Sequence, residues 1–400
     1  MRVAIVHDWL TGMRGGERCL EAFLCLYPNA DIFTLVHVPG TTTEVIDRRV
    51  VKTSFLNRVP GIRRLYKLFL PLYPIAAGSF NFAGYDLVIS LSHAAAKNVR
   101  VPQGVPHVCY CFTPMRYIWD QASSYLGGMG YVAAFPLIAL LRRWDLWGAK
   151  RVDHFVAISG FVSARIRTFY KRSSAIIPPP VRMAEENSQT LTPQERDYFD
   201  ANPGGFFLCA GALVPYKRID VAVEAFSALK ERLVVVGSGP DFNKLRARAG
   251  KNVEFLGRVS DAFLWECYKR CRALVFPGTE DFGIIPVECL AAGKPVIGID
   301  AGGLRESIVG FRPWQDSELV PSRHTGVCVP KEGSGSVEAL TRAVELFIQL
   351  EGGFTSETLQ ARARLFSYSE FFRAWGSFID RVGLESFRPE TDGSAASSAA

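Results

Sequence analysis

The sequence lacks most of what would send a chain out of the cell, through a bilayer or onto nucleic acid. Its formal charge of +7 over 400 residues is a small excess, which argues against a dedicated nucleic-acid binder while allowing an anionic ligand or membrane surface. The longest apolar run, 131–141, falls well short of the ~20 residues that a spanning helix needs. The first residues enter the strand-like Arg2-Val3-Ala4-Ile5-Val6 without the charged start, apolar stretch and cleavage site of a secretory leader, so export is not expected. Nine cysteines are an odd number and show no CxxC spacing; they read as reduced, mostly buried thiols of a cytosolic protein. Cys267 and Cys271 stand at i and i+4 without a His or acidic partner at ligand spacing. No DxD pair is available to hold a divalent cation, so no metal site and no cofactor are expected.

What is present is alternation. Short β-rich runs at 3–6, 87–90, 108–111 and 155–158, and again at 206–210, 233–236, 253–256, 273–276 and 296–299, are separated by longer helix-patterned stretches. That is the habit of parallel α/β sheets, and the length suits two Rossmann-like domains in tandem. Pro178-Pro179-Pro180 stops regular structure, and the polar stretch behind it has no strong apolar period. The expected organisation is therefore a first domain at 1–183, a linker at 184–203, a second domain at 204–365, an aromatic-rich helix at 366–383 that packs rather than floats, and a disordered tail at 384–400.

The chemistry-bearing block follows the run ending at Phe276: Pro277-Gly278-Thr279-Glu280-Asp281-Phe282-Gly283-Ile284-Ile285-Pro286-Val287-Glu288. It reads as a loop feeding a helix at about Ile284, whose free N–H groups and positive dipole end attract a diphosphate. Glu280 in the loop can accept hydrogen bonds from sugar hydroxyls, and Glu288 inside the helix can grip a ribose diol. Earlier in this half, Gly211-Ala212-Leu213-Val214-Pro215-Tyr216-Lys217-Arg218 follows a strand. Loops there face the ligand crevice of an open α/β sheet, so Lys217 and Arg218 can neutralise a diphosphate. Gly237-Ser238-Gly239-Pro240 half-matches GxGxxG, but Phe242 fills the third glycine position and no acidic residue stands at the required distance, so a dinucleotide cofactor is disfavoured.

The spacing Glu280-x7-Glu288, with Phe282-Gly283 inside it and Ala292-Gly293-Lys294-Pro295 behind, resembles the retaining glycosyltransferases of family 4, of GT-B fold. The segments His7-Asp8-Trp9-Leu10, Gly15-Gly16-Glu17 and Cys109-Tyr110-Cys111-Phe112-Thr113-Pro114-Met115-Arg116-Tyr117 are most similar, within that family, to bacterial mannosyltransferases of surface-polysaccharide assembly. The resemblance covers nearly the whole chain. It implies two Rossmann-like domains facing across a cleft, a C-terminal helix returning to the first domain, and retention by front-face attack within an ion pair rather than through a protein nucleophile. It also implies that Gly211, Gly237, Gly239, Gly257, Phe282, Gly283, Ile284 and Glu288 bind the donor, that Gly15 and Gly16 approach its phosphates or reacting centre by backbone, and that Glu280 orients. Relatives carry an Arg where this chain has Ala212, and many carry a His where it has Phe112. Arg218 is the candidate replacement for the missing Arg.

In the first half, His93 and Lys97 follow a strand and are candidates for acceptor or phosphate contact. Arg116, Tyr117, Trp119 and Asp120 are candidates for an acceptor pocket, with Asp120 the nearest carboxylate for proton uptake. The stretch 48–75 holds Arg48, Arg49, Lys52, Arg58, Arg63, Arg64 and Lys67, no acidic residue, and interleaved Phe55, Leu56, Ile62, Leu65, Tyr66, Leu68, Phe69, Leu70 and Leu72. That pattern suits either an anionic bilayer interface, extended by Arg142 and Arg143, or a packed helix with a solvated basic face. The expected activity is metal-independent transfer of a sugar, with GDP-mannose the donor the resemblance implies, to a lipid-linked saccharide. The expected location is the cytoplasm, peripheral on the inner face of its membrane. A UDP-sugar or other donor, and a non-catalytic nucleotide-sugar or membrane scaffold, are the alternatives.

Overall fold

A computed structural model of the chain describes residues 1–49, 51–184, 190–331 and 336–389. The chain forms two compact units, one made of Met1–Pro179 with the described residues from Phe371 onward, the other of Pro180–Glu370. The division falls inside the triple proline, where fixed φ angles and missing N–H donors forbid a continuing strand or helix.

In the first unit, β1 (Val3–Leu10), β2 (Asp31–His37), β3 (Val51–Thr53), β4 (Leu87–Ser92), β5 (His107–Cys111), β6 (His154–Ala157) and β7 (Ala175–Ile176) form, among the described residues, a parallel sheet in the order 3-2-1-4-5-6-7. β1 is central and buried at every residue, as a strand covered on both faces must be, and its apolar content explains why it settles there. Successive strands leave β1 in one direction through β2 and β3, and resume on its other side with β4. The loops after β1 and β4 therefore diverge, and the crevice between them is the place where open α/β sheets bind ligands. Helix α1 (Gly15–Leu26) follows β1 and packs Cys19, Leu20, Phe23 and Leu26 inward. Helix α2 (Ala122–Ala149) buries Ile138, Leu141 and Asp145 at i, i+3 and i+7 while Leu137, Leu140 and Trp147 stay exposed.

The second unit repeats the plan. β8 (Phe207–Ala210), β9 (Leu233–Val236), β10 (Val253–Gly257), β11 (Leu274–Phe276), β12 (Val296–Ile299), β13 (Gly310–Phe311) and β14 (Gly326–Val329) form a parallel sheet in the order 10-9-8-11-12-14-13, with its switch point between β8 and β11. The stretch 184–203, expected as a linker, instead carries α3 (Pro193–Ala201). Pro193 opens this helix behind a reciprocal cap between Thr192 and Glu195, and Phe199 packs on Phe263 with ring centroids 4.6 Å apart. A helix held by its cap and one buried aromatic leaves little apolar period to read. Helices α4 (Ile219–Ala228) and α5 (Ile284–Ala291) follow β8 and β11.

Helix α6 (Tyr368–Arg381) carries the chain back to the first unit, burying Phe371, Phe372, Trp375, Phe378 and Ile379. Trp375 meets Phe23 of α1 edge-on at 4.7 Å and donates to the Tyr27 hydroxyl at 2.9 Å. The disordered tail expected from 384 does not begin there: Leu384 is buried, and the Phe387 carbonyl accepts from Tyr27 at 3.1 Å. Residues 390–400 of the expected tail lie outside the described residues. All nine cysteines are free thiols, eight of them buried.

Candidate functional site

In the second unit the loops after β8, β9, β10 and β11 converge. Gly211 donates to Val236 O at 2.9 Å, and Gly237 donates to Gly257 O at 2.7 Å. Gly237 has φ 138°, and a Cβ there would lie 1.8 Å from Gly211 O, so only glycine allows the two loops to touch. Gly239 packs as closely on the backbone of Leu213. Lys217, past the β8 loop, reaches back so that its Nζ lies 2.7 Å from Glu280 Oε1 and close to Gly211. Burial alone would lower the lysine's pKa, but the Glu280 carboxylate outweighs it and holds the ammonium above its ordinary value. A cation and a carboxylate thus stand together at the switch point between β8 and β11.

Behind Glu280, Gly283 caps α5 from the left-handed region at φ 90° and brings no side chain of its own to the helix start, whose N–H groups and dipole end are positive. Ile284 opens the helix, and Phe282 is buried against Phe366 at 5.3 Å. Glu288, one turn in, accepts from the Tyr268 hydroxyl at 2.9 Å. A buried tyrosine that donates to it fixes the carboxylate's rotamer, a partner that the motif alone did not reveal. Two further residues escaped the sequence reading: Gly302 and Gly303. Gly303 donates to Glu280 O at 2.8 Å, and a Cβ on it would sit 2.3 Å from both Asp281 O and Phe282 Cα. This loop braces the Glu280 loop from behind, and only residues without side chains fit there.

Arg218 is less free for phosphate than its place in the sequence suggests. It caps α4 from the left-handed region at φ 51°, with Nε 3.2 Å from Asp220 Oδ1. Lys217 is the cation that the structure brings to Glu280.

In the first unit the crevice after β1 and β4 gathers Asp8, His93, His7, Gly15, Gly16 and Phe112. The fully buried Asp8 carboxylate accepts from the N–H groups of His93, Ala94, Ala95 and Ala96 at 2.6–2.9 Å and lies 3.0 Å from His93 Nδ1. Burial pushes its pKa up, yet His93 and these donors prevail and hold it well below the usual carboxylate range. Gly15 and Gly16 begin α1, whose first turn has no side-chain cap. A Cβ on Gly16 would lie 3.4 Å from His7 Nε2 and 3.5 Å from Phe112. Burial lowers the pKa of His7 and keeps it neutral, with Nδ1 3.1 Å from Trp9 O. Phe112 is thus bracketed by two histidines, with ring centroids 6.4 Å from His7 and 6.3 Å from His93.

Two expected ligand contacts point elsewhere. Lys97 is buried and ion-paired with Asp145, which also accepts from Asn98 at 3.0 Å and from Trp119 Nε1 and Tyr170 at 2.8 Å. This network closes the core under α2, so Lys97 is structural, and Trp119 serves the same cluster. Both carboxylate oxygens of Asp120 are engaged by Arg165, Oδ1 at 3.1 Å; a bidentate partner of this kind suits bracing of the 112–120 loop better than proton uptake.

Two seven-stranded parallel sheets among the described residues give the chain two Rossmann-like domains, the plan of the GT-B class of α/β fold. The chain overlays sucrose-phosphate synthase from Thermosynechococcus elongatus with a TM-score of 0.71 at 17% identity, covering 96% of this chain and 99% of the other. It overlays HepE of Anabaena, solved in complex with UDP and glucose, with a TM-score of 0.66 at 16% identity, covering 94% and 99%. Likenesses at such identity define the fold alone. Residues 194–365 match the family model described as Glycosyl transferases group 1. The chain is 27% identical over 158 residues to O-antigen chain mannosyltransferase C of Escherichia coli, which is 38% of this chain and 43% of that protein. It spans less than half the length of the curated relatives it matches.

Proposed function

We propose that this chain is a retaining glycosyltransferase that moves a hexose from a nucleotide-sugar to a lipid-linked saccharide in cell-surface polysaccharide assembly. The single observation that carries this reading is the Lys217–Glu280 pair at the β8/β11 switch point, beside the uncapped start of α5 and the Tyr268-held Glu288. As the anomeric C–O bond breaks, the nucleoside diphosphate leaves with the electron pair. Lys217 and the helix N-terminus are the positive groups available to absorb that charge, so turnover should not need a divalent cation. Glu280 orients sugar hydroxyls and Glu288 the ribose. The match to glycosyl transferases group 1 over 194–365 supports the transferase reading.

Mannose from GDP-mannose is the donor favoured by the likeness to a mannosyltransferase. A UDP-sugar is the second reading, favoured by the fold neighbour that was solved with UDP and glucose. A thermal-shift screen against GDP, UDP, ADP and dTDP decides between them, because a ligand that binds only the folded state raises its apparent stability. GDP alone should raise the melting temperature, and the shift should vanish in Glu288→Ala. A response to none of the four would remove the transferase reading.

A peripheral position on the inner face of the cytoplasmic membrane completes the proposal. No helix among the described residues is long and apolar enough to cross a membrane. Both 62–78 and α2 bury one side in the same core, yet leave Leu68 74%, Ile75 63% and Leu140 64% exposed, near the basic Arg63 and Arg143 in sequence. The side chains of Arg64 and Lys67 lie outside the described residues. Apolar side chains that face outward among cations suit an anionic interface. Co-sedimentation with anionic vesicles at low salt should fall several-fold in a Leu68→Ser, Leu140→Ser double variant; no binding by the parent protein would sink this part.

A further inference from the structure

Among the clusters outside the donor loops, the one carried furthest by its geometry is Asp8 with His93. A carboxylate has only acceptor atoms. Asp8 nevertheless receives four backbone N–H groups and the His93 ring on its two oxygens, while being wholly enclosed. Four of these five donors belong to the turn that carries His93, so the carboxylate fixes the turn and the ring together. The ring is held further by Trp9, edge-on at 4.5 Å, and by His7 and Phe112. Opposite an ionised carboxylate, Nδ1 of a neutral imidazole must carry the hydrogen. That leaves Nε2 as a bare acceptor. The side chain is 27% exposed, and no group among the described residues bonds that nitrogen.

We infer that Asp8 is a positioning residue that locks His93 in the Nδ1–H tautomer, so that His93 Nε2 accepts a hydrogen bond from a hydroxyl of a saccharide bound in the β1/β4 crevice. The choice of a saccharide rests on the transferase reading; the tautomer lock does not. An acceptor nitrogen selects a donor ligand, and a sugar hydroxyl donates where a phosphate dianion cannot. The half-buried Phe112 beside it offers an apolar face of the kind that sugar C–H groups pack on. The ring at 93 is held from below by Asp8 and Trp9 of β1.

The test uses the full chain labelled with 15N. In the long-range 1H–15N spectrum at neutral pH, the His93 signals, identified by their loss in His93→Asn, should show a protonated Nδ1 and an unprotonated Nε2. The opposite tautomer, or a ring protonated on both nitrogens, overturns the proposal, and this readout needs no turnover and no Asp8 variant. In the transfer assay with the donor found by the nucleotide screen, His93→Asn should lower kcat/KM for the saccharide acceptor on the order of tenfold, with nucleotide affinity unchanged. Asp8→Asn should lower it similarly in the parent and not at all in the His93→Asn background, because it acts through His93. Additive losses would make Asp8 merely structural, and weakened nucleotide binding in His93→Asn would make the ring a phosphate contact; either result overturns the proposal. A parent enzyme inert with every donor removes the transferase reading and with it the saccharide ligand, while the spectrum still decides the lock.

Discussion

Glu280 and Lys217 stand 63 residues apart in the chain, numbers 280 and 217, and their value lies in being brought together. A salt bridge with both partners partly enclosed is sensitive to the loss of one of them, because the survivor keeps its charge and loses its counter-charge. Lys217→Ala should therefore cost on the order of a hundredfold in turnover, the size seen when one preorganised charge-stabilising group is removed. Initial rates at saturating donor check this, and circular dichroism checks that the fold is retained. Arg218→Ala should cost far less, because that guanidinium is already occupied by Asp220. If Arg218→Ala were the more damaging of the two, Lys217 would not be the principal phosphate cation. Chelation by EDTA should leave the parent rate unchanged.

At the scale of the element, the Gly302-Gly303 turn does for the Glu280 loop what Asp8 does for the turn after β4. It has no chemistry of its own, yet it sets where that loop's backbone lies. Gly303→Ala should lower turnover strongly while costing about 1–3 kcal/mol of stability from overpacking, measured by paired rate and urea-denaturation experiments. Unchanged rates would show that the Glu280 loop tolerates displacement. This element also marks the reach of sequence reading. Strands β1, β4, β5, β6 and β8–β12 were legible because parallel core strands are nearly continuous apolar runs, and the positions Glu280, Glu288 and Lys217 were legible because a motif carried them. Gly302 and Gly303 were not, since a glycine needed for close approach looks like any loop glycine. The burial of Lys97 was hidden for a related reason: its partner Asp145 lies 48 residues on, near the C-terminal end of α2. The short strands β7 and β13, two residues each, are too brief to show any period.

For the whole molecule, acid is the informative perturbation. His107 is fully buried with Nε2 2.9 Å from Ser90 Oγ, and burial lowers its pKa to about 3. Unfolded, it would titrate near its ordinary value of about 6.5. Between those two values the unfolded chain binds the proton and the folded chain does not, so the stabilising contribution is complete above pH ~6.5 and declines on acidification. One such histidine gives a slope of about 1.4 kcal/mol per pH unit. His7, lowered in the same direction, adds to it. Urea midpoints should fall between pH 6.5 and 5, and His107→Gln should flatten that fall. A midpoint independent of pH in this window would mean that His107 opens to water.

The return of α6 to the first unit has a consequence for synthesis. Phe371, Trp375 and Phe378 complete a core whose strand β1 and helix α1 are translated before the whole of the second unit. The first unit must therefore wait, its Phe23 face uncovered, while the entire second unit is translated and can fold ahead of it. The half of the chain that is made first is the half that closes last.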